Sequence, residues 1–178
     1  WIEGPNEAIG RKTVDRIEDQ VRRYVALTPI FYLATADAAT GRADVSPRGD
    51  KPGFVRVLDE KHVAFPDRPG NRRTDSLINM IGYPQVGMIF IIPGCDEVLR
   101  INGRATVTHD EAFIAEQGWS GKTTGLAVVV ETEEIFVHCP RALKQAGIWN
   151  TATWIPKEQH PSAVDIFHAH LRMNGYDG

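Results

Sequence analysis

Apolar positions recur along the chain at two different periods. Val14, Ile17, Val21, Tyr24 and Val25 fall at helical spacing, with charged residues between them. They predict an amphipathic helix over about residues 11–28, ended by Pro29. Short extended runs follow at Phe31–Thr35, Ala43–Ser46, Phe54–Leu58 and His62–Phe65. The turn segments Asp37–Gly41, Lys51-Pro52-Gly53 and Asp59-Glu60-Lys61 separate them. Asp67–Arg73 is a polar loop, and Asp75–Ile81 reads as a short helix capped by Thr74 or Asp75. Gln85–Ile92 is a nearly continuous apolar strand stopped by Pro93-Gly94. Val98–Thr108 is a long strand in which Asn102-Gly103 predicts a bulge or bend. A helix at Asp110–Gln117, a glycine-rich loop at 118–125, a strand at Leu126–Val137 and helices at Pro140–Ala146 and Ser162–Met173 complete the pattern. Strands joined by short turns, with helices inserted rather than alternating, predict a mainly β fold. The expected form is a closed antiparallel barrel with peripheral helices; strand–helix alternation, which a doubly wound sheet needs, is missing from the first 110 residues.

Composition changes this picture little. The 178 residues are 42% hydrophobic and 24% charged, enough to bury a core without disulfides or metal. We expect one domain over 1–178, with the N-terminal helix at about 11–28, the barrel at about 30–137 and a helical region at 138–178. A net charge of −3 argues against a dedicated nucleic-acid binder. The longest apolar run, Met88–Pro93, is far short of the ~20 residues that span a bilayer. No signal peptide is recognisable after the opening Trp1, and Cys95 and Cys139 form no paired motif. A soluble cytoplasmic protein without a membrane partner is expected, with two reduced thiols favoured and one bridge left open.

Two segments carry candidate chemistry. Arg68, Arg72 and Arg73 lie within six residues on a Pro/Gly loop that leads into a helix start, where free N–H groups and guanidinium donors suit a phosphate. Loop arginines that are merely solvated remain the alternative on spacing alone. Ser46-Pro47-Arg48-Gly49-Asp50 collects a hydroxyl, a guanidinium and a carboxylate at a strand end, with Gly49 open to a flat ligand. A solvent-facing turn is the competing account. Gly121-Lys122-Thr123 is no P-loop, because Glu116 stands where that motif needs glycine. His168 and His170 alternate on a helix and face different ways, and His138-Cys139 has no visible partner cluster, so no metal site is expected. Among Trp119, Trp149 and Trp154, Trp149 is the candidate for flanking a flat cofactor.

Taken in order, the strings beginning at Phe31, Asp44, Phe65, Tyr83, Leu99 and His138, ending at Trp149, resemble the pyridoxamine 5′-phosphate oxidase-like family of FMN-binding split β-barrels. The likeness spans about residues 20–155. It implies a six-stranded antiparallel split β-barrel and a homodimer with FMN at the interface. By that resemblance Ser46, Pro47, Arg48, Gly49 and Asp50 run along the flavin and ribityl chain. Arg72 and Arg73 hold the phosphate, and Phe65, Pro66 and Asn71 are contact positions beside them. The second subunit would bring the His138–Trp149 region near the ring. Gln145-Ala146 replaces an Arg-Ser pair, moving a contact to Lys144, and Val98 replaces a polar flavin contact. The long substrate-binding C-terminal segment of the oxidases has no evident counterpart, so pyridoxamine phosphate oxidation itself is not expected. The implied function is an FMN-dependent oxidoreductase acting on a small-molecule substrate, with catalytic residues unassigned beyond the candidates Arg48 and Asp50. The alternatives are a non-catalytic flavin carrier or sensor, and a relative that binds the deazaflavin F420 or haem; the phosphate site disfavours haem.

Overall fold

The computed structural model describes residues 4, 7–119 and 121–176. Residues of the opening segment and Ser120 of the glycine-rich loop lie outside them. A short helix α1 (Glu7–Arg11) is followed by α2 (Asp19–Leu27). The predicted helix over 11–28 thus splits. Val14 pairs with Ile135 as an isolated bridge, and Ile17 donates its N–H to the Glu60 carbonyl. Those bonds need extended backbone, so the helix starts only at Glu18, whose carboxylate caps the N–H groups of Gln20 and Val21.

Seven strands follow: β1 (Ile30–Ala36), β2 (Ala43–Gly49), β3 (Arg56–Val57), β4 (His62–Pro66), β5 (Gln85–Ile91), β6 (Val98–Thr108) and β7 (Ala127–His138). Six are full strands; β3 keeps two residues because Phe54 and Val55 turn into the core instead of pairing. The order is β2-β1-β5-β6-β7-β4-β3, all antiparallel, with β2 and β3 as the two edges. The helices α3 (Asp75–Gly82), α4 (Glu111–Glu116), α5 (Arg141–Ala146) and α6 (Ala163–Met173) are peripheral. This is the mainly β split barrel that the resemblance implies; the closed barrel expected from the pattern alone does not form, because β2 and β3 are left as edges without a common ladder.

Alternation builds the interior. Phe31, Leu33 and Thr35 of β1 point inward, as do Val86, Met88 and Phe90 of β5 and Leu99 and Ile101 of β6. Phe31 packs against Phe54, Phe65 and Phe90 at ring separations of 5.8, 4.9 and 5.1 Å. The predicted irregularity at Asn102-Gly103 is present. Asn102 pairs with Glu134 and Gly103 with Thr132, so Glu133 of β7 is the extra residue. A Cβ on Gly103 would collide with the Glu131 carbonyl, which is why glycine stands there. No described helix is long and apolar enough to cross a membrane.

Candidate functional site

β2 is an edge strand, and its alternation turns Asp44, Ser46 and Arg48 towards the α3 side while Val45 and Pro47 face out. The loop after β4 and the start of α3 face this row across a cavity of about 910 Å³. Nine of the residues singled out from sequence as candidate chemistry line it: Ser46, Pro47, Arg48, Gly49, Pro66, Arg68, Asn71, Arg72 and Arg73. The two segments therefore line one cavity.

Ion pairs cross the cavity wall. Arg48 Nη1 lies 3.1 Å from Asp67 Oδ1, and the Thr124 hydroxyl donates to Asp67 Oδ2 at 2.8 Å. Asp67 is buried, and its backbone is tied to Leu126 and Thr124, so it joins the end of β4 to the loop before β7. Arg68 Nη2 pairs with Asp50 at 2.6 Å while its Nη1 donates to the Lys122 carbonyl. The Lys51 backbone N–H, ahead of the Arg68 guanidinium, holds the Asp50 carboxyl below its ordinary range, against the opposing effect of partial burial. Arg73 reaches Asp75 at 2.8 Å. Among the four arginines of the cavity only Arg72 has no carboxylate partner among the described residues. Arg72 is also the sole non-glycine described with a positive φ, 65°, a conformation that costs about 1 kcal/mol or more and needs the surrounding turn to hold it. Asn71 supplies that turn: its side-chain oxygen accepts the Arg73 N–H at 3.0 Å.

The start of α3 opens on the same space. Thr74 occupies the N-cap position but makes no side-chain capping bond, so the first N–H groups of the helix lack that partner. The Ser76 hydroxyl donates to Asp44 Oδ2 at 3.0 Å, which leaves Ser46, 3.2 Å away, as donor to Ser76. A buried Arg48 Nε has no acceptor among the described residues. The arrangement is one of fixed donors around a cavity, suited to an anion with further acceptors along its length.

Four predicted residues sit differently. Phe65 is buried in the core against Phe31, and only its neighbour Pro66 reaches the cavity. Asp50 acts on the site through Arg68. Lys144 pairs with Asp96 at 3.7 Å and Trp149 Nε1 donates to the Cys95 carbonyl, so both rest on the turn between β5 and β6 and not in the cavity of their own chain. The glycine at position 49 leaves room for the chain itself, since a Cβ there would meet the Pro29 carbonyl at 3.3 Å. Asp67 and Thr124 were not foreseen. Asp67 lay within the arginine loop, but Thr124 is 57 residues away and no local pattern marks it. Among the described residues no group of three or more His, Cys, Asp or Glu side chains is placed to hold a metal ion.

A family model described as pyridoxamine 5′-phosphate oxidase matches residues 17–139. No curated protein sequence matches the chain. Among solved structures, HupZ of Group A Streptococcus superposes with a TM-score of 0.54 at 18% identity, over 68% of this chain and 93% of that one. A Lactobacillus delbrueckii protein named for pyridoxamine 5′-phosphate oxidase gives 0.54 at 19%, over 69% and 95%. A protein of unknown function from Agrobacterium tumefaciens gives 0.51 at 13%, over 67% and 55%. At these identities the likenesses show a shared fold.

Proposed function

The chain belongs to the pyridoxamine 5′-phosphate oxidase family, and from that premise we propose that it is an FMN-dependent oxidoreductase acting on a small organic substrate through a flavin held in the cavity beside α3. The observation that carries this reading is Arg72, an unpaired guanidinium held at a strained backbone position beside an uncapped helix start. The residues fit a flavin mononucleotide. Arg72 and the first N–H groups of α3 take the phosphate, with Arg73 a weaker second cation because Asp75 already engages it. The orphaned Arg48 Nε fits an acceptor on the ribityl chain or ring edge, and Ser46, Pro47 and Gly49 line the path between.

When bound, FMN supplies hydride and one-electron chemistry at its ring. The chain's own residues do the placing. Asp67 and Thr124 hold Arg48 at one angle, Arg68 and Asp50 pin the loop, and the Ser46–Ser76–Asp44 hydrogen bonds fix the hydroxyl row of β2. In this reading the protein is a homodimer, and Lys144 and Trp149 act at the cavity of the other copy, which accounts for their distance from their own. No nucleic acid or membrane takes part.

The test is the absorption spectrum of the purified protein, followed by flavin titration of the apoprotein. Bound FMN, with Arg72→Ala weakening it roughly ten- to hundredfold as loss of a charge-assisted phosphate bond of about 1.5–3 kcal/mol requires, supports the assignment. Bleaching by a nicotinamide donor and reoxidation by an added acceptor separates an oxidoreductase from a flavin carrier or sensor. Uptake of F420 in place of FMN would keep the site and change the cofactor; a protein that binds neither refutes the proposal.

A further inference from the structure

Three carboxylates line the cavity, and one of them is uncompensated. Asp67 is paired with Arg48 and Asp75 with Arg73, whereas half-buried Asp44 has no cation partner among the described residues. Its Oδ2 accepts the hydroxyl of Ser76, which stands in the first turn of α3 and is 4% exposed. Ser76 has a single hydroxyl proton, and this bond uses it. Ser46 Oγ lies 3.2 Å from Ser76 Oγ, so the two hydroxyls can bond only if Ser46 gives its own proton. The charge on Asp44 thereby sets one direction for the whole chain of bonds, from Ser46 to Ser76 to Asp44.

A hydroxyl ordinarily gives or accepts a proton as its partner requires. With its proton committed to Ser76, Ser46 has only lone pairs to offer the cavity. It meets a ligand as an acceptor, so the ligand group opposite it has to carry a proton. This is the reverse of Arg48, Arg72 and the first N–H groups of α3, which all donate. Position tells which part of a ligand Ser46 meets. Ser76 belongs to the helix turn whose N–H groups take the phosphate in the reading above. Arg48 is two residues further along the same row of β2, about 7 Å away. Ser46 thus faces the stretch between the phosphate and the group that Arg48 engages. A second anion there would meet Asp44 without a neutralising cation, while a neutral chain bearing O–H groups suits both Asp44 and Ser46.

We propose that Asp44 is a positioning residue that acts through Ser76 to hold Ser46 as an acceptor only, and so selects a proton-bearing, hydroxylated chain next to the phosphate of the ligand. The proposal rests on the flavin reading above, in which that chain is the ribityl chain of FMN. The seat of α3 does not depend on Asp44 alone. One turn beyond Ser76, buried Asn79 donates to the hydroxyl of Thr35 on β1 at 3.0 Å.

The experiment is titration of the apoprotein with FMN and with an FMN analogue whose ribityl hydroxyls are replaced by fluorine. Fluorine is close to a hydroxyl in size and has no proton to give. The wild type should bind FMN at least tenfold more tightly than the analogue. Asp44→Asn and Ser76→Ala leave the Ser46 hydroxyl in place but let it turn, and each should reduce that preference at least threefold. Ser46→Ala should reduce it as much. A loss of packing alone would weaken both ligands alike and leave their ratio unchanged, and Asp44→Asn keeps the shape of the side chain it replaces. Circular dichroism and melting of each apoprotein confirm that the barrel is intact. A preference that falls in Ser46→Ala but not in Asp44→Asn or Ser76→Ala refutes the role of Asp44. A wild type that binds both ligands equally refutes the selection and spares the flavin. A wild type that does not bind FMN refutes both.

Discussion

Removing the Asp67 carboxylate is the sharpest test of how the cavity is held open. Asp67 accepts from Arg48 and from the Thr124 hydroxyl, and the side chains of the ion pair are 23% (Arg48) and 10% (Asp67) exposed. Breaking a fully buried pair by deleting one partner costs about 3–5 kcal/mol, because the other charge stays desolvated. Arg48 keeps some contact with water, so the share from the pair falls to about 2 kcal/mol. The orphaned Thr124 hydroxyl adds about 1 kcal/mol. Asp67→Ala should therefore destabilise the apoprotein by about 3 kcal/mol, a fall of roughly 6–12 °C in Tm for a chain of this size. Asp67→Asn keeps one acceptor and should cost less. The assay is urea unfolding of Asp67→Ala, Arg48→Ala and the double variant at one protein concentration, so that association contributes equally to each. A double-mutant coupling above about 1 kcal/mol is expected. Coupling below about 0.5 kcal/mol would refute the view that the pair fixes Arg48, even if each single variant is destabilised.

Arg73→Ala should weaken flavin binding several-fold less than Arg72→Ala, because Asp75 already holds the Arg73 guanidinium; equal losses in the titration would count against the assignment of Arg72 as the principal anchor. Tyr24 is half-buried and donates to the Glu97 carbonyl at 2.8 Å; burial, then the charges of Cys95 and Glu97, push its hydroxyl up to about 12. Its folded value lies above the unfolded one of about 10, so its contribution is complete below pH 10 and disappears as pH rises towards 12. Tyrosinate absorbance should show one late-titrating group, missing in Tyr24→Phe. The depressed Asp50 carboxyl works in the opposite sense. Its contribution is present above about pH 4 and is lost as pH falls through the lower folded value, so Asp50→Asn should flatten the acid limb of stability followed by circular dichroism. Gly103→Ala should cost about 3 kcal/mol or more in thermal unfolding, since its methyl meets a strand carbonyl that has no room to retreat.

Much of this molecule is written locally. The strand Val98–Thr108 falls at its predicted limits, and α6 begins where Ser162 caps it, because strand alternation, helical spacing and caps are short-range properties of the backbone and side chains. The arginine loop and the β2 residues stand out in the sequence for the same reason, as unusual residue types at a strand end and before a helix, and they line one cavity. Tertiary structure decided the rest. Val14 is extended because Ile135 offers a backbone partner 121 positions away, and a helical period cannot register that competition. Phe54 leaves its strand to stack on Phe31, since a buried aromatic outweighs two ladder bonds. The pairing of Asp67 with both Arg48 and Thr124 arises only when β2, β4 and the loop before β7 converge. The same convergence leaves Arg72 the unpaired cation. Residue types and local periods follow from bonds a few positions long; which charges of the cavity meet, and which has no carboxylate partner among the described residues, follows from how the edges of the sheet come together.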